Sequence, residues 1–109
     1  RLADELLRKQ QLSADIRGRA LLFSARSYAE QSDHTQAEQR LLQTVVIQPE
    51  EDKSLLPAAY YRLGTAQAKL GKKNEAKQNL EKALSFKDYD EEDALRRSVN
   101  RELARLSKQ

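Results

Sequence analysis

The side chains of this chain that could do chemistry are few, and their spacing argues against catalysis. The single histidine, His34, lies in a Ser-Asp-His-Thr stretch that reads as a surface turn between helices. Nothing in the sequence places a nucleophile or a second ligand beside it, so it reads as neither general base nor metal ligand. Cysteine is absent, which removes disulfide and thiolate chemistry, and a zinc site would need several His or Cys ligands. The acidic run Asp88, Asp90, Glu91, Glu92, Asp93 has the charge of a calcium loop. An EF-hand loop, however, needs glycine at its sixth place and glutamate at its twelfth, which here are Asp93 and Val99. Acidity at a helix start explains the run better. No glycine-rich phosphate loop is present. The inventory predicts no enzyme, no metal and no cofactor. What remains is recognition chemistry: Arg19 and Arg26 are seven residues apart, so on a helix both guanidinium groups project from one face.

Helices must carry these groups. Of the 109 residues, 39% are hydrophobic and 34% charged, with only two prolines and three glycines. Ala, Leu, Arg, Lys, Glu and Gln dominate, all good helix formers, and no stretch alternates as a strand would. Six helical segments are predicted. The first, roughly Arg1 to Gln11, carries Leu2, Ala3, Leu6 and Leu7 on its apolar side. Ser13 caps the second, which bears Ile16, Ala20, Leu21, Phe23 and Tyr28. Gly18 inside it costs about 1 kcal/mol relative to alanine and marks a kink or a tight crossing. A turn at Ser32–Thr35 leads to a third helix from about Gln36 to Ile47. The final helix opens at Asp90, with Asp93 three residues on, and shows the stripe Leu95, Val99, Leu103, Leu106.

The fourth and fifth segments are the clearest. In Ala58–Phe86 the residues Tyr60, Leu63, Gly64 and Gln67 share one helix face, with Gly64 at a close backbone approach. Gly71 stops that helix and Asn74 caps the next, where Ala76, Leu80, Ala83 and Leu84 form a stripe. A fainter copy lies upstream in Ala20–Pro49. Matching Ala37 to Ala76, 39 residues apart, sets Leu21 on Tyr60, Ser24 on Leu63, Ala25 on Gly64, Leu41 on Leu80 and Thr44 on Ala83.

The order aromatic, Leu-Gly, loop Gly, Glu-Ala, large apolar, Lys-Ala-Leu resembles the tetratricopeptide repeat, whose period is about 34 residues. The excess length fits the polar loop Pro49–Leu56, where lengthening costs little entropy. The resemblance implies an all-α solenoid of antiparallel helix pairs. Residues 1–12 are then an N-terminal helix, 18–51 the first repeat, 57–88 the second and 90–107 a capping helix with a wet outer face. With no methionine and an arginine at position 1, the segment is expected to belong to a longer protein.

The resemblance also implies the function: a non-catalytic scaffold that docks a partner protein segment in the concave groove lined by the first helices of each pair. Carried onto this chain, the groove positions are Arg19, Leu22, Arg26, Ala29 and Glu30, then Ala58, Tyr61, Arg62, Thr65 and Lys69. Such a groove suits a segment bearing carboxylates and one or two apolar anchors. The family's clamp for chaperone C-termini uses asparagine and lysine where Leu22, Arg26 and Thr65 stand here, which disfavours that ligand. Tyr28 and Tyr60 fall on packing stripes and are assigned to the core. Two other functions stand beside this one. Self-assembly as a homo-oligomer would use exposed terminal helices, the leucine stripe of residues 1–11 in particular. Nucleic-acid binding would use the lysines 69, 72, 73, 77 and 82 and the arginines 96, 97, 101 and 105. The net charge is only +3, however, with 17 acidic residues interspersed and no stacking aromatics among the lysines. No apolar run approaches the roughly 20 residues of a membrane span. A cysteine-free helical module is compatible with cytoplasm and periplasm alike.

Overall fold

Helical periodicity governs the whole array. A computed structural model describes the backbone of residues 2–108 and the side chains of residues 14–108. Among the described residues there are five helices and no strand: α1 (Leu2–Glu30), α2 (His34–Thr44), α3 (Leu55–Lys69), α4 (Lys73–Leu84) and α5 (Glu92–Ser107). The break expected at Ser13 is absent, and α1 runs unbroken for 29 residues. A lone serine between strong helix formers offers a cap without a stop, and neither Gly nor Pro lies there to supply one. The expected leucine stripe of residues 1–11 and the capping role of Ser13 lie outside the described side chains. Gly18 marks a tight crossing and not a kink, since a Cβ built there would run into the Leu55 side chain.

The two helical hairpins close with the same turn, 39 residues apart. In the second, the Lys72 N–H donates to the Gln67 carbonyl at 2.8 Å and Gly71 N–H to Ala68 at 3.2 Å, with Gly71 at φ +79°. In the first, Asp33 N–H donates to Tyr28 at 2.8 Å and Ser32 N–H to Ala29 at 3.0 Å, with Ser32 at φ +61°. Both are Schellman endings, in which a left-handed residue turns the last orphan carbonyls inward. Gly71 announced its turn; Ser32 did not.

Helix starts depart from expectation by about a turn or less. Helix α2 begins at His34 rather than Gln36, because Asp33 takes the cap and accepts from the Gln36 N–H at 3.2 Å, and it ends at Thr44 rather than Ile47. Lys72, not Asn74, occupies the cap position of α4; Asn74 lies exposed within the first turn. Helix α5 begins at Glu92, after a left-handed Glu91, so Asp90 and Asp93 do not form its box. Instead Glu92 reaches back to accept from the Asp88 N–H at 2.8 Å and forward to accept from Arg96 Nε at 2.8 Å. The acidic run does serve a helix start, but through one carboxylate.

Packing follows chain order. Helix α2 lies on α1, α3 on both, α4 on α3, and α5 on α4 and α3. The odd-numbered helices touch in sequence, α1 to α3 and α3 to α5, whereas α2 and α4 do not approach one another. An array whose odd helices converge while its even helices splay is curved, with the odd helices on the inside. Helix α3 divides the core. Its Leu55, Ala59, Leu63 and Ala66 pack with Leu22, Ala25, Ala37, Leu41 and Ile47 of the first hairpin and its loop. Its other side meets α4 and α5 in a cluster built on Ala76, Leu80, Ala83, Val99 and Leu106, with Leu95 and Leu103 packed against it. Gly64 permits the α3–α4 approach: a Cβ there would stand 2.6 Å from Leu80 Cγ and 3.0 Å from the Ala76 carbonyl oxygen. Tyr28 and Tyr60 pack against the clusters without full burial, Tyr60 stacking on Phe86 at 5.9 Å.

Candidate functional site

The concave side holds a groove of about 460 Å³ between α1, α3 and the start of α5. Arg19 contributes from α1, Ala58, Tyr61 and Arg62 from α3, and Tyr89, Leu95 and Ser98, together with the carboxylates of Asp90 and Glu91, from the α4–α5 turn and α5. Four of the sequence-derived positions therefore meet in one depression. The α5 side of it was missed, because no residue type in Tyr89–Ser98 signals a groove; only the packing of α5 against α3 brings it there.

The remaining positions separate. Leu22 is only 5% exposed and belongs to the core with Ala25 and Leu41, so its place in the groove is corrected. The repeat slot that puts it on the groove side instead faces the neighbouring hairpin, where it packs. Ala29 likewise packs against the core. Thr65 donates its hydroxyl to the Tyr61 carbonyl at 2.9 Å, within its own helix. Glu30 and Lys69 are exposed at the last residues of α1 and α3.

Arg19 is a strut. It holds Asp52 with two of its nitrogens, Nε at 2.5 Å and Nη2 at 2.8 Å, and Nη2 also donates to Ser54 Oγ at 2.8 Å. This bidentate hydrogen bond holds the Asp52 carboxyl below its ordinary range, against the opposing effect of partial burial. Asp15 completes the clamp by accepting from the backbone N–H groups of Glu50 and Glu51 at 2.9 and 3.2 Å. The long polar loop that stretches the repeat period is thus fastened to α1.

Arg26 and Arg62 differ from Arg19 in their surroundings. Neither takes part in a salt bridge among the described residues. Arg62 lies 6.0 Å from the Tyr61 ring centroid. Burial, and then the positive charge of Arg26, push its pKa down from the usual arginine value; Tyr61 and Glu30 act in the opposite direction.

His34 differs from its expected role as a surface turn residue. It is the first residue of α2, half-buried, with Nδ1 enclosed and lacking a hydrogen-bond partner among the described residues. It lines a cavity of about 50 Å³ with Arg62, Thr65 and Ala37. Among the described residues no group of three His, Cys, Asp or Glu side chains could hold a metal, and no helix is long and apolar enough to cross a membrane.

Several basic residues are engaged by partners within the chain. Lys72 pairs with Glu38, Arg96 with Glu92 and Arg105 with Glu102, each at 2.8–2.9 Å. Such pairing leaves a mixed surface in place of a continuous basic stripe.

Comparison with known proteins adds the family. No curated protein and no solved structure matches the chain, but residues 57–90 match the family model of the tetratricopeptide repeat. That match spans α3, α4 and the turn leading to α5. Tetratricopeptide repeats mediate protein–protein interaction and are typically non-catalytic scaffolds. The chain thus carries a tetratricopeptide repeat at residues 57–90, within an all-helical solenoid of the tetratricopeptide type.

Proposed function

We propose that this chain docks an acidic protein segment in the groove between α1, α3 and α5, tethering that partner without catalysis. The observation that carries the reading is Arg62 beside the Tyr61 ring in a groove shared with Leu95, outside any salt bridge of the described residues and under the added positive charge of Arg26. A carboxylate there relieves repulsion between the arginines and gains charge-assisted hydrogen bonds, and an apolar side chain has Tyr61 and Leu95 to cover. Arg19 holds the α1 wall in place through Asp52 and is not itself a ligand contact. Residues 18–51 act in this reading as a first repeat, 57–88 as the second, and α5 as both cap and third groove wall.

The test is capture from source lysate by the native chain and by an Arg26→Glu/Tyr61→Ala variant, once circular dichroism shows the variant folded. Capture by the native chain alone supports the groove, and a partner sequence with a carboxylate-rich stretch supports the stated chemistry. Equal capture by both removes the groove as the site. Strong attenuation of native binding by salt is expected, since the pairing is electrostatic.

A further inference from the structure

The start of α5 accounts for only part of the acidic run at residues 88–93. Glu92 serves that start, accepting from the Asp88 N–H and from Arg96 Nε. Asp90 and Glu91 do not. Both are exposed, and neither enters a salt bridge among the described residues. Glu91 stands at the cap position of α5, yet its side chain makes no capping bond. Both residues line the groove between α1, α3 and α5. On the α3 wall of that groove lies Arg62, half-buried and 6.0 Å from the Tyr61 ring centroid. Arg26 and Glu30 both act on Arg62, Arg26 the more strongly, which leaves that end net positive. Opposite charges thus share one depression, and no salt bridge among the described residues joins them. Tyr61 and half-buried Leu95 supply apolar surface in the same groove.

We infer that the segment docked in this groove is bipolar: a carboxylate at Arg62, an apolar side chain over Tyr61 and Leu95, and a lysine or arginine at Asp90 and Glu91. The inference rests on the docking reading above and narrows it, from an acidic segment to one whose charges follow a set order. Charge complementarity selects this occupant. A uniformly acidic segment that reached Arg62 would lay further carboxylates against Asp90 and Glu91, and like charges opposed across an interface select against binding. A uniformly basic segment would meet Arg62 and Arg26 in the same way. A neutral segment would gain the apolar contact alone. A segment carrying both charges satisfies both walls. Because those walls belong to different elements, a segment of given order lies in the groove in one direction only. Arg19 lines the same groove but is held by Asp52 and Ser54, so it does not compete for the ligand carboxylate.

Selection from a random library of phage-displayed peptides, each about twelve residues long so that an extended form spans the groove, tests it on the immobilised chain. Peptides that bind the native chain but not a folded Arg62→Glu variant are groove ligands. They should carry an acidic residue and a lysine or arginine on either side of an apolar one. Asp90→Asn/Glu91→Gln should weaken such a peptide about three- to tenfold, less so as salt is raised. Thermal melting should be unchanged, since both side chains are exposed and neither makes a hydrogen bond among the described residues. Changing the peptide's basic residue to glutamate should abolish binding to the native chain, and Asp90→Lys/Glu91→Lys should restore it. Arg62-dependent peptides that are acidic throughout overturn the inference and leave the groove standing as the docking site. So do bipolar peptides that bind Asp90→Asn/Glu91→Gln as tightly as the native chain, or a wall reversal that rescues nothing. Peptides indifferent to Arg62→Glu, or no enrichment at all, overturn the docking reading and this inference with it.

Discussion

Removing the carboxylate of Glu38 should loosen the stack between the two hairpins. Glu38 is 6% exposed on α2 and accepts from Gln67 Nε2 at 3.2 Å and from Lys72 Nζ at 2.8 and 2.9 Å. Gln67, 4% exposed, accepts in turn from Asn79 Nδ2 at 2.6 Å on α4. One side chain therefore joins three helices through a buried polar chain. In Glu38→Ala, Lys72 returns to water, but the Gln67 amide is left buried without an acceptor. An orphaned buried donor costs about 1–3 kcal/mol. The small space left behind adds about 1 kcal/mol, and the better helix propensity of alanine returns a few tenths. The net is about 2–4 kcal/mol, or roughly 8–16 °C in Tm for a domain near 100 residues. Glu38→Gln keeps an acceptor and should cost about 0.5–1 kcal/mol. Urea titrations followed by helical circular dichroism measure both. In Glu38→Ala/Gln67→Ala the orphan is gone, so the double variant should lose about 1 kcal/mol less than the sum of the singles. A loss below about 0.5 kcal/mol for Glu38→Ala, or equal losses for Ala and Gln, would refute the argument that the unsatisfied amide dominates.

Two further outcomes follow from the turns and the loop clamp. Ser32 holds φ +61°, where Gly71 holds +79° in the equivalent turn; Ser32→Gly should stabilise by about 0.5–1 kcal/mol and Gly71→Ser should destabilise by about as much, read from urea midpoints at constant m. If Ser32→Gly destabilises, the serine earns its place through some contact other than backbone geometry. The Asp52 carboxyl titrates below its unfolded value, so its contribution is complete above the ordinary carboxylate pKa and fades as pH falls through that value towards the lower folded one. Because Arg19 is about half exposed, so that solvent screens the pair, the native chain should exceed Asp52→Asn by about 1 kcal/mol or less at pH 7. That difference should shrink steadily as pH falls below the ordinary carboxylate value, and one that does not shrink with acid would place the effect in packing instead of charge.

What the sequence disclosed was local, and what it withheld was distant. The α3–α4 hairpin was legible because its determinants sit within one or two turns of each other: Gly64 for close approach, Gly71 for the stop, and the stripe Ala76–Leu80–Ala83 for burial. The stripe Leu95–Val99–Leu103–Leu106 of α5 was legible for the same reason. Ser32 was not, because serine gives no sign of a left-handed backbone; only the repeat register marks it as Gly71's counterpart. Nor could periodicity reveal that Asp15 and Arg19 reach residues 50–54, since those bonds span 33 to 36 positions. Leu22 failed for a related reason. Its slot matches that of Tyr61, yet one is core and the other lines the groove.

That asymmetry bears on how recognition is distributed. The loop that lengthens the period is anchored by Asp15 and Arg19, which already engages one of the two spaced arginines of α1 with a partner inside the chain. Leu22 is taken up by the core. In the proposed reading the first hairpin contributes mainly the charge of Arg26 acting on Arg62, while α3 lines the groove with Tyr61 and Arg62 and the α5 side with Leu95, Asp90 and Glu91. The positive and apolar elements converge where the odd-numbered helices touch, and not along the length of α1. A ligand reading this surface would cross the helices with its carboxylate over the α1–α3 seam and its apolar side chain towards α5. Reversing the charge of Arg26 or Arg62 should then weaken capture of an acidic segment severely, whereas Lys69→Glu, at the exposed end of α3, should weaken it little. Equal effects at all three positions would mean that the partner senses only net charge.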